Sequence, residues 1–147
     1  FTKVLDEVSL GLQEDEEESG GQSVDRAYWE SKGSKPSVAI VDECLGVLRE
    51  IDPAIEPKYN RYYVGLTKDG IPRNFIVFRP KKQWTKVEPK ISNQQAWAAR
   101  LEEVGITVLP GDKVRERLVF QARKADVQKN RELLKELFAE SYREQEE

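Results

Sequence analysis

The side chains able to do chemistry in this 147-residue chain are carboxylates, lysines, arginines and one thiol. The sequence holds no histidine and a single cysteine, Cys44. Without an imidazole there is no Ser-His or Cys-His nucleophile pair and no histidine general base. Zinc would have to rest on one thiolate and carboxylates, a poor donor set, and a lone cysteine closes no internal disulfide. Asp42, Glu43 and Glu50 fall on one helical stretch and Glu102 and Glu103 on another, in no spacing that marks a metal site or an acid/base pair. Gly65, Gly70, Gly105 and Gly111 stand singly, so neither a phosphate-cradling loop nor a dinucleotide fingerprint is present. Cys44 lies on an apolar helical stripe, the position of a buried, inert thiol. The expectation is a protein without catalytic residues, metal or cofactor.

The cations make a stronger pattern. Arg79-Pro80-Lys81-Lys82, followed by Lys86 and Lys90, sets five cations within twelve residues, with Arg73 just upstream and Trp84 among them. Residues 58–90 carry nine Lys and Arg against two Asp and Glu, a local charge of +7 inside a chain of net −3. Residues 1–22 carry one Lys against seven acids, five of them in the run 14–18. Basic side chains on a rigid turn suit phosphate or carboxylate, because a polyanion releases counterions when it meets them. The same turn also reads as a solvated hairpin tip that keeps a sheet edge soluble, or as the intramolecular partner of the acidic run. The net charge of −3 argues against tight, general DNA binding.

Hydrophobic periodicity defines the elements that must hold these residues. Ser23 can cap a short helix carrying Ala27, Tyr28 and Trp29, and Ser34 or Lys35, before a Pro36 that suits the first turn, opens a second, apolar helix over about 36–51 that stops at Asp52-Pro53. From Asn60 the period becomes two. Tyr62 to Leu66, Asn74 to Phe78 and Gln83 to Lys90 read as three strands of a meander, joined by Asp69-Gly70 and by the basic turn 79–82. Ser92 or Asn93 caps a helix through Val104, closed by Gly105. Strands at 106–109 and 116–122 flank Pro110-Gly111, and a helix over about 125–144 ends the chain. The order predicts an α+β fold: an antiparallel sheet of about five strands, a meander of three plus two, with helices packed on it and a long C-terminal helix.

The turn lengths predict a register in which Tyr62 faces Val77, Val64 faces Phe75 and Leu66 faces Arg73, while Val77 faces Trp84, Phe75 faces Lys86 and Arg73 faces Glu88. One face would then carry Tyr62, Val64, Leu66, Phe75, Val77 and Trp84, rimmed by Arg73, Lys86 and Glu88. That face reads either as an aromatic platform for single-stranded nucleic acid or as core beneath the C-terminal helix.

No apolar run reaches the length of a membrane span and no signal-peptide pattern opens the chain, so a soluble, cytoplasmic protein is expected. The first residue is Phe1, and residues 1–22, with Val4, Leu5, Val8 and Leu12 before the acidic, Gly-containing run, are expected to be the end of a preceding domain and a flexible linker. Residues 23–147 are expected to form one domain.

Three runs, Asp25-Arg26-Ala27-Tyr28-Trp29-Glu30, Tyr59 to Leu66 and Asn74 to Lys82, together with Leu101-Glu102-Glu103-Val104-Gly105, give the chain a resemblance. Over about 23–145 it resembles a bacterial and archaeal family of domains of unknown function. These usually form the C-terminal part of larger proteins, some with predicted restriction-type nuclease domains upstream. The resemblance implies a small α+β accessory domain without established catalytic residues, associated with DNA processing or phage defence, with the upstream domain of its own chain as a partner. Lys113, Arg115 and Arg117 match an arginine-rich strand before the family's last helix.

The expected function is a non-catalytic binding module that contacts nucleic acid or another anionic partner through the strand-turn-strand 73–90. Arg73, Arg79, Lys81, Lys82, Lys86 and Lys90 supply charge and Trp84 supplies a stacking surface. The alternative is a protein-interaction or homodimerisation domain that uses an apolar face or a sheet edge.

Overall fold

The computed structural model describes residues 24–112 and 115–146. The expected linker at 1–22, the Ser23 cap and Lys113 lie outside the described residues. Helix α1, Arg26–Lys32, is capped by Asp25, whose carboxylate accepts the Tyr28 N–H at 2.9 Å. Helix α2, Lys35–Ile51, is capped by Ser34, one of the two expected positions: the Ser34 hydroxyl accepts the Ser37 N–H and the Ser37 hydroxyl accepts the Ser34 N–H, both at 3.1 Å, with proline in the first turn. Val38, Val41, Cys44, Leu45 and Leu48 of its stripe are buried.

Among the described residues seven strands follow in one antiparallel sheet: β1 Ile55–Tyr59, β2 Val64–Lys68, β3 Ile71–Pro72, β4 Ile76–Pro80, β5 Thr85–Pro89, β6 Val108–Asp112 and β7 Arg117–Ala122. Their order across the sheet is β1-β2-β4-β5-β7-β6, with β3 paired to β2. Helix α3, Gln94–Glu103, precedes β6; α4, Lys124–Lys129, and α5, Arg131–Glu146, end the chain. The architecture is the expected α+β one. The single expected C-terminal helix is two, broken at Asn130, whose side-chain amide donates to the Asp126 carbonyl at 3.1 Å. Among the described residues no helix is long and apolar enough to cross a membrane.

The expected register is wrong in both pairs, and the causes are local. Asp69 and Gly70 do make the tight turn, both with positive φ (55° and 80°), but the strand they return is only Ile71–Pro72, opposite Lys68 and Thr67. Proline has no N–H to extend the ladder. The chain then crosses at Asn74, whose side-chain oxygen accepts the Leu66 N–H at 3.0 Å in place of a backbone carbonyl. Only at Phe78 does β4 meet Val64, three residues later than the turn length implies. An odd shift exchanges the faces. Gly65 permits the crossing, because a Cβ there would stand 2.4 Å from the Asn74 side-chain oxygen. In the next pair Val77 lies opposite Glu88, not Trp84, and pairing continues to Pro80 opposite Thr85, so the turn is 81–84. Pro110 and Gly111 lie inside β6, where the register shifts between Leu109 and Asp112, and do not form a turn.

The resulting sheet has unlike faces. Val64, Phe78, Val87 and Phe120 form a cross-strand row in the hydrophobic core with α2 and α5, so the expected platform is dismantled. Full burial of each such phenylalanine is worth about 1.5–3 kcal/mol. Val77, Arg79, Lys86, Glu88 and Val119 point to the opposite face, where Arg79 pairs with Glu88.

Candidate functional site

The basic turn is held against the junction of α1 and α2. Gly33 sits between the helices, and a Cβ there would meet the Lys81 carbonyl at 2.9 Å and the Pro80 carbonyl at 3.0 Å. Glycine therefore sets how closely hairpin and helices approach. The Ser34 hydroxyl, besides capping α2, donates to the Lys82 carbonyl at 2.7 Å, and the Thr85 hydroxyl donates to the Ser37 carbonyl at 2.5 Å. The Lys82 ammonium reaches the Ser31 carbonyl at 3.4 Å.

This docking leaves a cleft of about 240 Å³ lined by Trp29, Lys32, Tyr62, Arg79, Pro80, Lys81 and Lys82. Trp29 forms its floor; its indole is 2 % exposed and donates to the Asn60 carbonyl at 2.8 Å. Tyr62 is an exposed wall, at 37 % among the few large apolar side chains open to solvent in the described residues. The Lys32 ammonium stands 5.0 Å from the Trp29 ring centre, and the Arg61 guanidinium 5.8 Å from that of Tyr62. Among the described residues Lys32, Lys81 and Lys82 form no ion pair, whereas Arg79 is committed to Glu88. The Lys81 ammonium is held below the ordinary lysine value, first by burial and then by the like charges of Lys86 and Arg79, with Glu88 opposing and Lys32 adding a smaller push. A cation crowded by cations is a place where an anion gains free energy.

The expected site residues divide. Arg79, Lys81 and Lys82 come together in the cleft. Lys86 lies opposite Arg79 on the polar face, close enough to act on Lys81. Trp84 is half-buried in the turn, where its carbonyl accepts the Lys81 N–H at 2.8 Å. Lys90 is exposed, four residues and roughly 13 Å further along the strand than Lys86, beside Glu116 and Glu144. Arg73 is half-buried at the β3–β4 crossing, its N–H donating to the Leu66 carbonyl at 2.8 Å. Sequence reasoning missed Trp29 and Lys32 from α1, and it put Tyr62, which comes from the loop before β2, on the expected aromatic face of the sheet rather than beside the basic turn. The one linear signal was the spacing of Tyr28, Trp29 and Lys32, which puts a lysine over aromatic rings one helical turn back.

A second polar cluster joins three elements. Asp52, just after α2, accepts from the Lys68 ammonium at 2.7 Å, from the Tyr142 hydroxyl at 2.6 Å and from the Ala54 N–H at 3.0 Å. Lys68, then Tyr142 and the Ala54 amide, hold the Asp52 carboxyl down at about 2, while Asp52 raises both Lys68 and Tyr142 above their ordinary values. Cys44 is fully buried and its thiol is pushed up to about 12, mainly by burial and then by Glu43, which leaves it unreactive. Among the described residues no three His, Cys, Asp or Glu side chains gather where a metal ion could sit. Compared with protein-family models, curated proteins and solved structures, the chain matches none.

Proposed function

We propose that this protein is a non-catalytic binding module of a larger prokaryotic protein that holds a polyanion, best a nucleic acid, at the cleft between the β4–β5 turn and α1. The observation that carries the reading is the cleft itself: Lys32, Lys81 and Lys82 gather around an aromatic floor and wall, with no carboxylate paired to any of the three among the described residues. Lys86 extends the positive field along the sheet, and Lys90 and Arg73 lie away from the contact. Phosphates neutralise the three lysines and release counterions.

The alternative, dimerisation through a sheet edge, has less to rest on. Edge strand β1 carries Pro57, and edge strand β6 carries Pro110 and an irregular register, features that blunt edge pairing. The exposed large apolar residues Tyr62, Ile71 and Val104 sit on separate elements.

Fluorescence anisotropy with labelled oligonucleotides at about 50 and 200 mM salt tests the reading. The Lys32, Lys81, Lys82 triple alanine variant is expected to lower the slope of log K against log salt by roughly two to three units. An unchanged slope would remove the cleft from the contact, and absence of binding by the unaltered protein at low salt would remove the proposal.

A further inference from the structure

We infer that the cleft takes one unpaired nucleotide, so that the ligand is single-stranded nucleic acid with a base lodged against Tyr62 and its phosphates on Lys81, Lys82 and Lys32. The inference rests on the polyanion reading above and narrows it to one class. Its basis is the division of the lining. A site for phosphate alone needs cations and hydrogen-bond donors, but this one also has Trp29, Tyr62 and Pro80 in its lining, with Tyr62 the one that is open to solvent. The open Tyr62 ring accepts a flat, apolar ring against it, and the lysines around it accept the charge such a ring carries when it is a nucleotide. Size agrees. At about 240 Å³ the cleft is smaller than the roughly 300 Å³ at which pockets for drug-sized ligands begin, and a recess of that size holds one base but not a base pair.

The floor is rigid as well. The Trp29 indole is tied to the Asn60 carbonyl at 2.8 Å, Tyr28 packs on it edge-to-face with ring centres 5.8 Å apart, and the Gly33 contact fixes the turn above it. A base would enter without rebuilding the site. A duplex hides its bases in the stack and presents only phosphates, so the aromatic half of the cleft would contribute nothing to it.

The test compares three ligands on the full chain, with affinities expressed per phosphate: a single strand of about eight nucleotides, the same backbone with abasic sites, and a duplex of the single strand with its complement. The single strand is expected to bind about tenfold tighter than the abasic backbone. Tyr62→Ala should abolish that advantage without altering the salt slope, and Tyr62→Phe should keep it, because the ring rather than the hydroxyl stacks. Tyr62 is exposed, and unchanged thermal melts of both variants would show that folding is not at issue. Equal affinity for the single strand and the abasic backbone, or a duplex bound as tightly as the single strand, would overturn the base-lodging inference and leave polyanion binding standing. Failure of all three ligands at low salt would remove both.

Discussion

Lys68 ends strand β2 and Lys81 opens the turn after β4, yet the protein pulls their ammonium groups in opposite directions. Lys68 faces Asp52 and Tyr142 and is raised above its ordinary value; Lys81 is lowered, first by burial and then by the like charges of Lys86 and Arg79. The first cluster is closed, because every charge has its counter-charge inside the molecule and the three side chains tie the end of α2 to β2 and α5. The second is open. Its lysines repel one another, and the favourable field they make is available to whatever anion arrives. The same residue type thus sits in two opposite settings, one where its charge is paired within the molecule and one where burial and like charges oppose it.

Three experiments sharpen this contrast beyond the binding measurements above, and the largest effect belongs to Gly33. Gly33→Ala drives a methyl group into two carbonyls of the turn, and chemical denaturation should show a loss of about 2 kcal/mol, in the range of overpacked sites. Oligonucleotide binding should fall with it, while the Asp52 cluster, which touches none of these atoms, keeps its behaviour in acid.

A smaller effect is expected at the closed cluster. The Asp52 carboxyl is held down at about 2 in the folded protein against an ordinary value of 3.8, so its contribution to stability is present above pH 4 and is lost as pH falls from about 4 towards 2. Asp52→Asn should cost about 1 kcal/mol at neutral pH and flatten that part of the stability profile, as followed by urea melts at stepped pH. Nucleic-acid binding should be untouched. A loss of binding in this variant would break the separation between the clusters.

The sequence carried the helices more plainly than the sheet register. Ser34 before Pro36 and Asp52-Pro53 mark both ends of α2, and Asp69-Gly70 marks a turn, because each of these signals acts within four residues. The register after that turn depends on Asn74 lending its side chain to Leu66 and on Pro72 withholding an N–H, a substitution that periodicity does not encode. Strand β1 escaped notice because Ile55–Tyr59 contains Pro57 and two charges and has an exposed second residue. Half of the candidate site was legible as a linear run, Arg79 to Lys82. Its aromatic half comes from α1 and from Tyr62, which only the packing of Gly33 beneath the turn brings alongside. The expected register makes Trp84 the stacking residue; the observed register places it in the turn, half-buried.

The most direct measurement is the titration of the Lys81 side chain by NMR, following its ε-carbon with and without a saturating single-stranded oligonucleotide. The free protein should titrate below an ordinary lysine, and the bound one should move upward, because phosphate offsets the repulsion from Lys86 and Arg79. By the same linkage, binding should weaken as pH rises through the Lys81 transition. A Lys81 whose titration is unmoved by a saturating oligonucleotide would contradict the assignment of this cleft as the anion site.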